Sequence, residues 1–381
     1  MKVLEIVPHF GFAESFLKGR LGYFQSLGVD MYLASSWDNA LPRFALSEGI
    51  SYMHTKMPRV PSPVNDIMAV FKICRYIKSN RIDCVVGHAD KGKLLACVCG
   101  KLTGTKVILF AHGTSFEGRN GIIRKVFVTL DHIESSIAHR VICVSPFLMD
   151  LRLKEGIDKK GKAYLPNRGS CGGVDCYGRF NPDRITDEQK KELRQSLGIK
   201  SGESVIGFCG RLVKDKGIEE LVPAFELMKS QYNIPAKLLL VGGGDIRDFI
   251  SSEIQKQMEE DTDIILMGNV PDPERYYSIM DLFILPTHRD GLGMCMLEAA
   301  SMGVPVMTTH ITGSRDSMVA GFNGEYIELD PADIANKVWI LCSNPEKLSR
   351  YGENGRKWIC ENFENKVVWN SILECYESVL K

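Results

Sequence analysis

Short, unbroken apolar runs alternate along this chain with longer stretches in which apolar residues recur every three or four positions. A strand covered on both faces reads as a continuous apolar run, whereas a helix lying on a sheet keeps a polar face and a period near 3.6. In the first half the pattern predicts strands at residues 3–7, 30–34, 84–87, 106–110 and 140–144, and helices over 15–27, 67–80, 93–102 and 124–136. A glycine-rich break over 165–180 and a polar helix over 186–197 follow. The series then restarts, with strands at 204–209, 236–241, 263–267, 282–285 and 304–308. Residues 345–381 read as helical, with Trp358, Phe363 and Trp369 as apolar anchors. Strand–helix alternation predicts a doubly wound parallel sheet. Two such series in 381 residues predict two Rossmann-like α/β domains, at 1–175 and 176–360, with a terminal helix at 361–381 returning to the first.

Chemistry collects where strands end. Residues 290–298 read Asp-Gly-Leu-Gly-Met-Cys-Met-Leu-Glu, between a strand and a helix. In such a unit the helix N-terminus lies at the carboxyl ends of the strands, where backbone N–H groups can receive a phosphate. Asp290 and Glu298 bracket the turn, and Glu298 is expected two turns into the helix. An anion site beside carboxylates suits a ligand with a diphosphate and several hydroxyls. The plain alternative is a strand–helix crossover with two incidental acids. Upstream, Gly210-Arg211 ends a strand and Lys216-Gly217 opens the next helix. A bidentate guanidinium and an ammonium across one loop can converge on a diphosphate. Val241-Gly-Gly-Gly-Asp245 closes the next strand, where glycines permit close approach of a ring or ribose. In the first half, Gly11, the His88-Ala-Asp-Lys91 cluster and His112 each follow a strand.

Composition and charge narrow the class. No apolar run reaches the roughly 18 residues needed to span a bilayer, and Met1–Pro8 reads as a first strand with Glu5 inside it, not as a signal peptide. The 12 cysteines are scattered without paired metal-site spacing, which predicts reduced thiols in a cytosolic protein and no metal site. Net charge is zero, yet residues 1–172 carry 24 Lys+Arg against 14 Asp+Glu, a surplus of +10 balanced by −10 beyond. A basic half faces an anionic partner. No arginine-rich stripe with interleaved aromatics speaks for nucleic acid. An anionic membrane surface or a lipid-phosphate acceptor fits better, and Lys56, Arg59, Arg119, Arg124 and Lys125 stand beside apolar neighbours.

These motifs resemble the retaining glycosyltransferases of family 4. The Gly210-Arg211…Lys216-Gly217 pattern and the acid pair of 290–298 carry that likeness, while the Pro8-His-Phe-Gly-Phe12 loop, the basic loop Lys56-Met-Pro-Arg59, the segment at 112–118, Val144-Ser-Pro146 and the 169–175 hinge resemble a subgroup that glycosylates polyprenyl-diphosphate sugars in capsule and O-antigen assembly. The resemblance implies two domains of GT-B type facing a cleft. It also implies a metal-independent retaining hexosyltransferase without a cofactor, using a nucleotide-diphosphate sugar, UDP-linked and N-acetylated or else GDP-linked. The acceptor would be a polyprenyl-diphosphate sugar, and the protein would sit peripherally at the inner face of the cell membrane. His112, Asp290, Arg211 and Lys216 would be catalytic. The donor nucleotide would meet Gly210, Arg211, Lys216, Gly243, Asn269, Val270, Gly291, Gly293, Met296, Leu297 and Glu298, and the acceptor Gly11, His88 and Lys91. The family usually has Glu where Asp290 stands, which draws the carboxylate back by about 1.5 Å. Two other readings remain: a nucleotide-sugar-binding scaffold without turnover, and a UDP-sugar 2-epimerase of the same fold.

Overall fold

The structure is a computed structural model that describes residues 1–58, 60–244 and 249–381; Arg59 and Asp245 lie outside the described residues. The chain divides into two compact units, Met1–Gly173 with Asn365–Lys381, and Val174–Glu364.

The first unit holds β1 (Lys2–Ile6), β2 (Asp30–Ser35), β3 (Ser51–His54), β4 (Cys84–Gly87), β5 (Lys106–Ala111), β6 (Arg140–Cys143) and β7 (Ala163–Tyr164). They form one parallel sheet in the order β3-β2-β1-β4-β5-β6-β7. Its helices are α1 (Phe10–Phe16), α2 (Arg20–Ser26), α3 (Leu41–Glu48), α4 (Pro63–Asn80), α5 (Ala89–Thr103), α6 (Gly121–Ile137) and α7 (Pro146–Lys154). The second unit has helices α8 (Asp187–Ser196), α9 (Ile218–Ser230), α10 (Ser252–Glu260), α11 (Pro273–Tyr277), α12 (Met294–Ser301), α13 (Pro331–Cys342) and α14 (Pro345–Asn362). Its strands are β8 (Ser204–Cys209), β9 (Ala236–Val241), β10 (Ile264–Gly268), β11 (Leu282–Leu285), β12 (Val306–Thr309) and β13 (Gly324–Ile327). They also lie parallel, in the order β10-β9-β8-β11-β12-β13. The last helix, α15 (Asn365–Leu380), belongs to the first unit and lies against α2 and β5.

Both sheets reverse strand order once, between β1 and β4 and between β8 and β11. Ligands of open parallel sheets bind beyond the carboxyl ends of the strands at that reversal. The central strands are covered on both faces, as Val3, Leu4, Val85 and Ile108 in one sheet and Ile206, Leu239 and Ile284 in the other are fully buried.

The predicted helix over 15–27 is two helices, and it starts earlier. Gly19 takes a φ of +80° between them, and the buried Glu48 carboxylate accepts the N–H groups of Gly19 (2.7 Å) and Gly22 (2.8 Å). The strands missing from the sequence reading, β3, β7 and β13, all lie at sheet edges, where half-exposed strands carry polar residues and no apolar run.

Candidate functional site

In the second unit the ends of β8, β9 and β10 are laced together by backbone bonds. Gly210 N–H donates to Val241 O (2.9 Å), Leu212 N–H to Gly243 O (2.8 Å) and Gly242 N–H to Gly268 O (2.8 Å). Only glycine fits at 242, because its φ is +134° and a Cβ there would stand 1.9 Å from Gly210 O. A Cβ on Gly243 would meet the Asn269 amide at 2.9 Å, so the structure brings these two predicted residues together. Asn269 is exposed and Val270 half-buried beside it.

Across the strand reversal, the loops after β8 and β11 interlock. Gly217, at φ +76°, packs so closely on Pro286 that a Cβ would lie 1.8 Å from its carbonyl oxygen. His288 N–H donates to Asp215 O (2.9 Å), and Arg289 Nε to Asp215 Oδ1 (2.9 Å). This juxtaposition puts Lys216 Nζ on Asp290 Oδ2 at 2.6 Å. The other oxygen, Oδ1, accepts the N–H groups of Gly291 (2.7 Å) and Gly293 (3.1 Å). Burial pushes the Asp290 carboxyl up, but the Lys216 ammonium and the two glycine N–H groups outweigh it and hold the group below the ordinary carboxylate range. Arg211 is exposed on the loop directly after Gly210.

Gly291 and Gly293, expected at the donor nucleotide, here both give their N–H groups to Asp290 Oδ1. Met296 and Leu297 are fully buried, and their N–H groups close the first turn of α12 onto Gly293 O (2.9 and 3.4 Å). Glu298 stands in the second turn of α12, the fifth residue of a helix that begins at Met294, not two turns in. Its Oε2 accepts a 2.9 Å bond from the fully buried Tyr277 hydroxyl. Burial raises the Glu298 carboxyl to about 7 despite that bond. Tyr277 escaped the sequence reading because its helix, α11, is five residues long and carries no motif.

The first unit builds a second polar cluster at its own strand reversal. Glu5 of β1 is fully buried and bonded to three side chains: Oε1 to Arg20 Nη2 (3.0 Å) and the Tyr376 hydroxyl (2.9 Å), and Oε2 to His88 Nε2 (2.6 Å); His88 Nδ1 in turn meets His112 Nε2 at 3.0 Å. Arg20 also donates to Cys171 O (2.7 Å). Phe110 stacks on both imidazoles. Burial would raise Glu5, but Arg20 and His88 pull it below its ordinary range. Burial lowers both histidines, His112 well below its ordinary value with the charges nearby adding to the effect. With both rings neutral, His88 Nε2–H donates to the Glu5 carboxylate and its Nδ1 must accept, so His112 donates from Nε2 and keeps the lone pair on Nδ1.

Two of the expected acceptor residues are engaged within the first unit. His88 is fully buried behind His112, and Lys91 is held on Asp66 at 2.7 Å from both carboxylate oxygens. Gly11 lies exposed in the first turn of α1. Sequence reasoning also missed Glu5, Arg20 and Tyr376 as a set, although an acid inside a strand buried on both faces was a signal. Among the described residues no group of three or more His, Cys, Asp or Glu could hold a metal ion. All 12 cysteines are free thiols.

Two family models match the chain, "Glycosyl transferase 4-like domain" over residues 23–168 and "Glycosyl transferases group 1" over 189–358. The chain belongs to the family 4 glycosyltransferases. This transferase is 26% identical to the capsular polysaccharide biosynthesis glycosyltransferase CapM of Staphylococcus aureus, over 96% of this chain and 94% of that one. It is 24% identical to the UDP-Gal:alpha-D-GlcNAc-diphosphoundecaprenol alpha-1,3-galactosyltransferase of Escherichia coli, over 79% and 77% of the two chains. The transferase has the GT-B fold. Anabaena Alr3699/HepE, solved in complex with UDP and glucose, matches with a TM-score of 0.82 at 16% identity, covering 99% of this chain and all of that one.

Proposed function

We propose that this transferase moves a hexose, with retention of configuration and without a metal, from a UDP-linked donor to a polyprenyl-diphosphate-linked sugar during surface polysaccharide synthesis. The observation that carries the reading is the Lys216–Asp290 pair at the strand reversal, with Glu298 in the second turn of the same helix. Similarity to the capsule and undecaprenol-linked enzymes supports the acceptor class. Lys216 and Arg211 neutralise the negative charge that grows on the diphosphate as its bond to the sugar breaks. Glu298 accepts the ribose hydroxyls, Asp290 orients the sugar, and His112 Nδ1 accepts a hydrogen bond from a hydroxyl. The departing phosphate takes the acceptor proton.

The apolar row on α6 suits peripheral attachment to an anionic membrane. Ile122, Ile123, Val126, Leu130 and Ile133 are all exposed along one side, with Lys125 and Arg119 nearby. Arg124 is engaged with Glu155 at 2.7 Å. Among the described residues no helix is long and apolar enough to cross a membrane.

The deciding experiment measures UDP released from UDP-sugars with and without a polyprenyl-diphosphate sugar. Acceptor-dependent release supports the proposal. UDP binding without release points to a scaffold, and conversion of the sugar nucleotide with no acceptor points to an epimerase. Either outcome overturns it.

A further inference from the structure

A cavity of about 410 Å³ lies in the first unit between the segment after β2, the end of β3 and one face of α4. Trp37, His54 and Lys56 form one wall, and Asn65, Met68 and Lys72, which share a helical face at i, i+3 and i+7, form the other. The Trp37 indole is 54% exposed and braced edge-on by the His54 ring, 5.0 Å away. No carboxylate lines the cavity, and among the described residues no ion pair engages Lys56 or Lys72. The nearest acid on α4, Asp66, is spent on Lys91.

The adjoining face of α4 is apolar and open. Val64, Ile67, Met68 and Phe71 are 75, 70, 49 and 63% exposed. Their i, i+3, i+4, i+7 spacing makes them one stripe, and Met68 belongs both to the stripe and to the cavity wall. A cavity with two ammonium groups and an indole face, opening at its edge onto an apolar stripe, fits an amphiphile. Its head would carry phosphate charge and a flat-sided ring, and its tail would be hydrocarbon. Lysines supply point charges for phosphate oxygens, and an indole packs on the apolar face of a pyranose.

We propose that this cavity holds the diphosphate-sugar head of the lipid-linked acceptor, with Lys56 and Lys72 on the diphosphate, Trp37 under the sugar, and the first isoprene units lying over Ile67 and Phe71. The proposal rests on the transferase reading above and names the subsite that reading leaves open.

The test titrates a short-chain polyprenyl-diphosphate N-acetylhexosamine into the full-length protein by calorimetry, without donor, and measures acceptor KM separately. Lys56→Ala with Lys72→Ala should weaken binding and raise KM at least tenfold, while UDP affinity stays within twofold. Trp37→Ala should do the same for the sugar-bearing acceptor. Ile67→Ser with Phe71→Ser should weaken the lipid-bearing acceptor alone, leaving a methyl-capped sugar diphosphate unaffected. All these side chains are at least partly solvent-facing, so unchanged melting temperatures confirm intact folding. If the wild type binds the acceptor and the variants bind it equally well, the cavity assignment falls and the transferase reading stands. If the wild type neither binds such acceptors nor releases UDP with them, the transferase reading falls and carries the cavity with it. Inorganic diphosphate is the remaining arm: binding as tight as the lipid-linked compound would make this a phosphate site and overturn the acceptor assignment.

Discussion

Asp290 shows how one methylene can reshape a loop. The short side chain folds back so that Oδ1 accepts the N–H of Gly291 and Gly293 while Oδ2 meets Lys216. Short acidic side chains make such local backbone bonds, which a longer one overshoots. Asp290→Glu should therefore loosen residues 290–293. Steady-state kinetics should show kcat lowered at least tenfold and UDP affinity within twofold, since catalytic geometry is sensitive near 1 Å. A higher kcat would mean that the natural Asp impairs turnover. Glu298 makes a pH prediction. With its carboxyl raised to about 7, the ionised form that accepts ribose hydroxyls is depleted as pH falls. UDP affinity should drop by up to about tenfold per pH unit below 7 and level off above it. Glu298→Gln should remove that slope, leaving only the titration of the nucleotide's own phosphate; calorimetry at several pH values distinguishes the two.

At the scale of elements, α6 is half core and half surface. Asp131 and Ser135 are buried on its inner side, while the row from Ile122 to Ile133 faces water. Leaving such side chains exposed has a cost, and withdrawing each into a bilayer interface recovers about 1 kcal/mol or more. Basic neighbours near anionic lipid add about 1 kcal/mol each. Co-sedimentation should show the protein bound to anionic liposomes at low salt and released at high salt. Ile122→Ser with Val126→Ser should weaken binding at least tenfold without changing UDP affinity. Binding that ignores lipid charge and salt, or is absent, would remove the membrane from the proposal. The sequence already placed basic and apolar residues side by side here. Only the fold distinguished Lys125, which is exposed, from Arg124, which is engaged with Glu155.

At the scale of the molecule, the first unit is completed by the last segment of the chain. Val368, Ile372, Cys375 and Tyr376 of α15 are fully buried, Trp369 donates to Gly172 O (2.7 Å), and the Tyr376 hydroxyl reaches Glu5. Each large apolar side chain buried there contributes roughly 1.5–3 kcal/mol, a sum comparable to the whole stability of a domain. Ending the chain after Glu364 should leave residues 1–173 susceptible to limited proteolysis and lower the melting temperature, while 174–364 stays resistant. Equal resistance of both units would show that α15 is dispensable. Truncation also leaves the Glu5–Arg20 pair one bond short, which adds to the loss because a buried charge needs every partner.

The sequence alone determined what repeats along the chain or depends on spacing between near neighbours. Apolar runs specified the central strands because strands covered on both faces tolerate few polar residues. Glycine–charge spacings pointed to Gly210, Arg211, Lys216, Asp290 and Glu298 because strand-to-helix loops must hold such groups close together. The edge strands β3, β7 and β13 stayed illegible, since solvent on one side lifts the constraint on composition. Tertiary structure decided which side chains meet across distant segments. It put Lys216 on Asp290, Tyr277 on Glu298, and Glu5 with Arg20, His88 and Tyr376, pairings separated by up to 371 positions. It also took His88 and Lys91 out of solvent reach or into an ion pair. The reason is that burial and partner choice depend on how whole layers pack, and local pattern carries no record of which strand end will face which.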